Sequence, residues 1–220
     1  MTAGPMSGGK GGNGMARPAE VVGFWLGDSP SAADPALERH VARWFKADAA
    51  FDRLIAVRFG ALVEQALAGA LDSWSGTAAG RLALILLLDQ FTRNIFRGSP
   101  RAFAGDGTAQ TLTRTGIALG LDRKLRPVER HFFYLPLLHA EDAETQALSC
   151  ACFARLLETA PPHQRQHFSA CSAAAERYRR IIGCFGRFPH RNPILQRVPS
   201  AAEEAFLATG TLPAAAAAAG

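Results

Sequence analysis

The chain has 220 residues, 48% hydrophobic and 20% charged, enough for one globular domain with a sizeable buried core. Its net charge of +5 comes from arginines scattered along the sequence with no run of like charges, which argues against nucleic acid and leaves a small anionic molecule as the expected partner. No stretch reaches the roughly 18 consecutive apolar residues of a membrane span, and the N-terminus carries Lys10 but no apolar signal region, so the expected location is the cytoplasm.

Residues 1–18 are glycine-rich and read as a disordered tail. From there the apolar period is helical. Glu20 to Leu26 opens a short helix that stops near Gly27. Asp34 to Phe45 follows, with Asp34 as N-cap and Pro35 at the first helical position. Asp48 caps a longer helix to about Leu67, along which Phe51, Leu54, Ile55, Phe59, Leu62 and Val63 recur at three and four. Thr77 to Phe96 is apolar almost all round from Leu82 to Leu88. Residues 102–119 come next, with Gly105 and Gly107 near the start. Arg126 to His139 is rich in aromatics, and Pro136 predicts a kink or break. Glu141 to Glu158 and His163 to Phe185 follow, the latter ended by Gly186. Ser200 to Ala208 closes the series, with Ser200 and Glu203 as a capping box. Residues 211–220 read as a second disordered tail. This pattern of roughly nine helices, without strand alternation, predicts a single all-α domain over residues 19–210, an array of antiparallel helices forming a bundle or a solenoid.

Cys150, Cys152, Cys171 and Cys184 form no CxxC pair. They read as free thiols of a reducing compartment and as small core residues. No metal and no cofactor is expected. There is no phosphate loop, serine elbow or HExxH pattern, and Gly105 to Gly107 does not follow a strand.

Three segments concentrate the groups able to titrate or bind anions. In the first, Asp89, Arg93 and Arg97 sit at i, i+4 and i+8, on one helix face, with Asn94 between them. The structural reading is a surface ion-pair ladder; the functional one is a polar site where the most apolar helix leaves the core. In the second, Tyr134 leads to His139, Glu141 and Asp142. His139, Asp142 and Gln146 fall at i, i+3 and i+7 on one expected helical face, where a carboxylate can set an imidazole's tautomer. The third, Phe185 to Arg197, holds Arg187, His190, Arg191 and Asn192 between Pro189 and Pro193. A rigid loop presenting guanidinium groups suits carboxylate or phosphate; alternatively its arginines cap helices and pair with acids.

Together the segments resemble a bacterial family, the domain-of-unknown-function 924 family. The likeness rests on FW at 24–25, LLLDQFTRNIFRG at 86–98, AFAGD at 102–106, YLPLLHAED at 134–142 and FGRFPHRN at 185–192, and covers about residues 20–207. The resemblance implies an all-α, tetratricopeptide-like helical array, and supplies no activity. It also marks two departures: the family usually has serine where Ala140 stands, and a histidine near Tyr178.

The functional expectation is a polar cavity that binds a small anionic molecule through Arg93, Arg97, Arg187 and Arg191, with Asp89, Asn94, Tyr134 and Asn192 completing the binding set. His139 or His190, oriented by Glu141 or Asp142 and with Tyr178 nearby, would act as general acid or base in a cofactor-independent isomerisation, elimination, cyclisation or hydrolysis. The alternative is a tetratricopeptide-like module that binds a protein or peptide and uses these motifs structurally. Oligomeric state is left open.

Overall fold

A computed structural model of the chain describes residues 17–27, Trp44 and residues 47–213. Among these there are eight α-helices and no strand. They are α1 (Pro18–Leu26), α2 (Ala49–Leu67), α3 (Ala78–Ile85, continuing through Leu86–Phe91 to Thr92–Ile95), α4 (Asp106–Ala118), α5 (Pro127–Leu138), α6 (Ala143–Glu158), α7 (Arg165–Phe185) and α8 (Ala201–Thr209). The expected helix at Asp34 to Phe45 lies, apart from Trp44, outside the described residues. So do the expected tails, save for Arg17, Pro18 and residues 211–213.

The local signals behind these boundaries are in place. Asp48 accepts from the amides of Ala50 and Phe51 at the start of α2, and Gly186 ends α7 in the left-handed region at φ 66°. Ser200 and Glu203 form the capping box of α8. Pro136 neither breaks nor ends α5, which continues to Leu138. It sits in the last turn, where no long helix follows to be misdirected.

α3 is the centre of the molecule. Leu82 to Leu88 and Phe91 are all buried, and α1, α2, α4 and α5 pack around them. Phe91 meets the rings of Phe24, Trp25 and Phe59, and the Trp44 indole donates to the Trp25 carbonyl at 2.8 Å. The all-α, single-domain expectation holds. These contacts do not by themselves define a tetratricopeptide-like repeat.

One irregularity positions the site. Leu86–Phe91 is a π-helical turn, a wider turn that commonly marks functional positions in helices. Side chains help satisfy its carbonyls. The Thr92 hydroxyl donates to Leu88 O at 2.8 Å and the Arg93 guanidinium to Asp89 O at 2.8 Å. α4 begins directly on this turn: a Cβ at Gly105 would lie 2.3 Å from Leu88 O. Only glycine allows that approach, and it delivers Asp106, the first residue of α4, to Arg93.

Candidate functional site

The site is built on Asp89, which the π turn points into the protein with none of its surface exposed. A carboxylate without water must be matched by donors. Asp89 Oδ1 lies 2.7 Å from His139 Nδ1 and 2.9 Å from Arg93 Nη1, and Oδ2 accepts from Gln90. Burial alone would raise its pKa. The charge of Arg93, that of His139 in the acid range where its ring is protonated, and the hydrogen bonds from His139 and Gln90 outweigh burial and hold it below the ordinary carboxylate range. Asp89 is therefore ionised and accepts, so His139 donates from Nδ1. Its other nitrogen, Nε2, is then the acceptor of the ring, which borders a cleft.

His139 is the C-cap of α5. Gln146 holds that end in place, its amide donating to the carbonyls of Leu138 at 2.9 Å and Ala140 at 2.8 Å. Arg191 donates to the carbonyl of His139 itself at 3.0 Å. Burial lowers the His139 pKa and Arg93 adds to that effect, while Asp89 and Asp106 oppose it. The net shift is downward, so the ring is neutral at pH 7.

Two guanidinium groups stand beside it. Arg93 forms a two-pronged pair with Asp106, at 2.9 and 3.0 Å. Arg191 is almost wholly buried between the rings of Phe103 and Phe188, with its central carbon 4.8 and 4.7 Å from the ring centres. Its Nη1 is 3.6 Å from Asp106, and its buried Nε has no hydrogen-bond partner. Arg97 is half-exposed and pairs with Asp52 at 2.8 Å. Asn94 donates to the same carboxylate at 2.7 Å.

These groups border two adjoining hollows that share Arg93, Arg97 and His139. The larger, about 260 Å³, also has Phe103, Tyr178, His190, Arg191 and Ile194 in its wall. The smaller, about 170 Å³, adds Trp44, Gln90, Asn94 and Leu135.

Several expected site residues stand elsewhere. His139, Asp142 and Gln146 do not share a helical face, because the chain breaks at Ala140: His139 ends α5 and Asp142 caps α6 by accepting from the Thr145 amide at 2.7 Å. The carboxylate that orients His139 is Asp89, not Glu141 or Asp142. Glu141 instead holds the third segment, accepting from Arg197 at 2.6 Å and from the Phe188 amide at 2.8 Å. Arg187 pairs with Glu203 at 2.6 Å and anchors α8. Asn192 accepts from Arg197 at 2.9 Å, and Tyr134 donates to Asp122 at 2.6 Å on another side of α5. None of Arg187, Asn192, Tyr134, Glu141 and Asp142 lines the cleft. Nor is the first segment a surface ladder: Asp89 is buried, and Arg97 turns to Asp52 on α2. Ala140, at the family's serine position, is fully buried, whereas Tyr178 lines the cleft and packs edge-on against Phe188.

Asp52, Gln90, Phe103 and Asp106 take part although the sequence reading leaves them out of the site. Asp106 carried a signal in the AFAGD motif. Asp52 carried none, since its partners are 42 and 45 residues away.

Fold and site together define an all-α protein whose central helix widens to seat a buried Asp–His–Arg cluster beside a small cleft. The chain belongs to the bacterial family of unknown function DUF924, whose model matches residues 21–211. It is similar to the solved structure of a protein of unknown function, ATU0120 from Agrobacterium tumefaciens, with 36% identity, 86% of this chain and 96% of that chain covered, and a TM-score of 0.71. No curated protein matches it.

Proposed function

We propose that the cleft binds a small anionic molecule and that His139, held by Asp89, exchanges a proton with it as a general base and acid. The observation that carries this reading is the Asp89–His139 pair itself: a fully buried carboxylate fixes one nitrogen of a ring that lines a cleft bordered by Arg93, Arg97 and Arg191. An imidazole kept neutral at pH 7 and fixed in one tautomer is suited to take a proton. Arginines nearby would favour the charge that develops on the substrate. The adjoining hollows of about 260 and 170 Å³ suit a small molecule bearing a carboxylate or phosphate. The chemistry is isomerisation, elimination, cyclisation or hydrolysis. A cytoplasmic location is consistent with four free thiols and with the absence, among the described residues, of a helix long and apolar enough to cross a membrane.

The test is thermal unfolding of the full chain against inorganic phosphate, small mono- and dicarboxylates and short phosphate monoesters. A ligand that binds the folded state raises the melting temperature with concentration. At least one probe should do so, and Arg97→Ala should weaken its binding by about tenfold, or about 1.4 kcal/mol. If no probe shifts the wild type, the reading fails.

One observation favours a second reading. Arg93, Arg97 and Arg187 already have acid partners, as expected if the motifs only lock helices together in a tetratricopeptide-like module that binds a peptide or protein. In that case small anions leave the melting temperature unmoved, while Arg97→Ala and His139→Ala change stability alone.

A further inference from the structure

Away from the cleft, α5 and α7 bring three metal-ligating side chains together. His167 and Cys171 lie one turn apart on α7 and so share a face. His131 reaches them from α5. The Cys171 sulfur is 3.3 Å from His131 Nδ1 and 3.6 Å from His167 Nε2, and the three atoms lie within 4.8 Å of one another. None of them lines the cleft. His131 and His139 are eight residues apart, about 12 Å along a helix.

The spacing suits one class of ion. With zinc–nitrogen bonds of about 2.0 Å and a zinc–sulfur bond of about 2.3 Å, a tetrahedral centre separates its nitrogen and sulfur ligands by about 3.5 Å. Both nitrogen–sulfur distances here are within a few tenths of that, while the two nitrogens, within 4.8 Å of each other, close to about 3.3 Å around a tetrahedral ion. The donor set is two imidazoles and a thiol, with no carboxylate oxygen, which disfavours magnesium and calcium and suits zinc. The rings are already oriented. His131 packs edge-on against Phe132 and Phe153, and His167 against Phe168. A small rotation of the His167 ring, which is only partly buried, brings the two nitrogens to one ion.

We propose that His131, His167 and Cys171 bind a zinc ion, with water as the fourth ligand. Binding releases the Cys171 thiol proton to solvent and leaves a zinc–thiolate bond. Neither histidine stands in the motifs that drew the functional reading, and Cys171 alone reads as a core residue. The cluster emerges only when a histidine 40 positions away is folded onto it.

The experiment titrates the reduced, metal-free full chain with Co²⁺ as a spectroscopic probe and then with Zn²⁺ as competitor. One equivalent of Co²⁺ should produce a thiolate-to-cobalt charge-transfer band that Zn²⁺ abolishes. Cys171→Ser should remove the band, and His167→Gln should weaken zinc binding by more than about tenfold. Cys150→Ser and Cys184→Ser should leave both unchanged. Circular dichroism of the metal-free variants checks folding, and the two ligand variants lie at partly exposed positions, so the result does not hang on one of them. If the three side chains are merely hydrogen-bonded to one another, the wild type gives no band. That outcome, or a band that survives Cys171→Ser, overturns the proposal.

Discussion

Asp89 is the residue on which the cluster turns, because it is a fully buried charge with two cationic or ionisable neighbours. Removing one member of such a group leaves the others unpaired in a medium that cannot hydrate them. Asp89→Ala should therefore cost about 3–5 kcal/mol, measured by urea unfolding at pH 7.5. The pH dependence has a defined sign. The folded pKa of His139 lies below its unfolded value near 6.5, so below pH 6.5 the unfolded state binds the proton first and stability falls toward the folded pKa. The depressed pKa of Asp89 adds stability above the ordinary carboxylate range, near pH 4, which is lost as pH falls further through the folded pKa. The urea midpoint should thus be level from pH 8 to pH 7, decline below 6.5 and steepen below about 4. In His139→Gln the first decline should shrink. An unchanged decline would mean that His139 is not held neutral.

At the scale of elements, the π turn and the start of α4 form one unit. A methyl group at Gly105 has nowhere to go but into the Leu88 carbonyl, 2.3 Å away. Gly105→Ala should destabilise the fold by about 1–3 kcal/mol, the usual cost of overpacking, and loosen the Asp106–Arg93 pair. Chemical denaturation checks the first effect. Helix ends were legible in the sequence wherever a local chemical device sets them: Asp48 at the start of α2, Gly186 after α7, Ser200 and Glu203 at α8. The π turn was not, since LLLDQF has the same apolar pattern in either helical geometry. The break at Ala140 was legible, since the expected helices end at His139 and begin at Glu141. Counting His139, Asp142 and Gln146 at i, i+3 and i+7 carried one helix's spacing across that break, although two helices supply them. Pro136 misled in the other direction, because a proline in a last turn has little helix left to disrupt.

For the whole molecule, the sequence marked segments that converge in the fold, but not the partners of their residues. Arg93, Arg97, His139, His190 and Arg191 meet at one cleft, as their motifs suggested. The acids that hold them, Asp89 for His139 and Asp52 for Arg97, act across 50 and 45 residues of chain, and such contacts leave no trace in local spacing. Arg187 shows the converse: a cationic residue inside the richest motif that pairs with Glu203 and anchors α8. The proposed function requires His139 to be a neutral imidazole, held in the Nδ1-protonated tautomer by its bond to Asp89, with Nε2 open to a bound anion. The most direct measurement is the nitrogen-15 spectrum of histidine-labelled protein, assigned with His139→Gln and titrated with inorganic phosphate and acetate. The account predicts an unprotonated Nε2 at pH 7 whose resonance moves as one of these anions binds. A doubly protonated His139 at pH 7, or a resonance that neither anion moves, would contradict it.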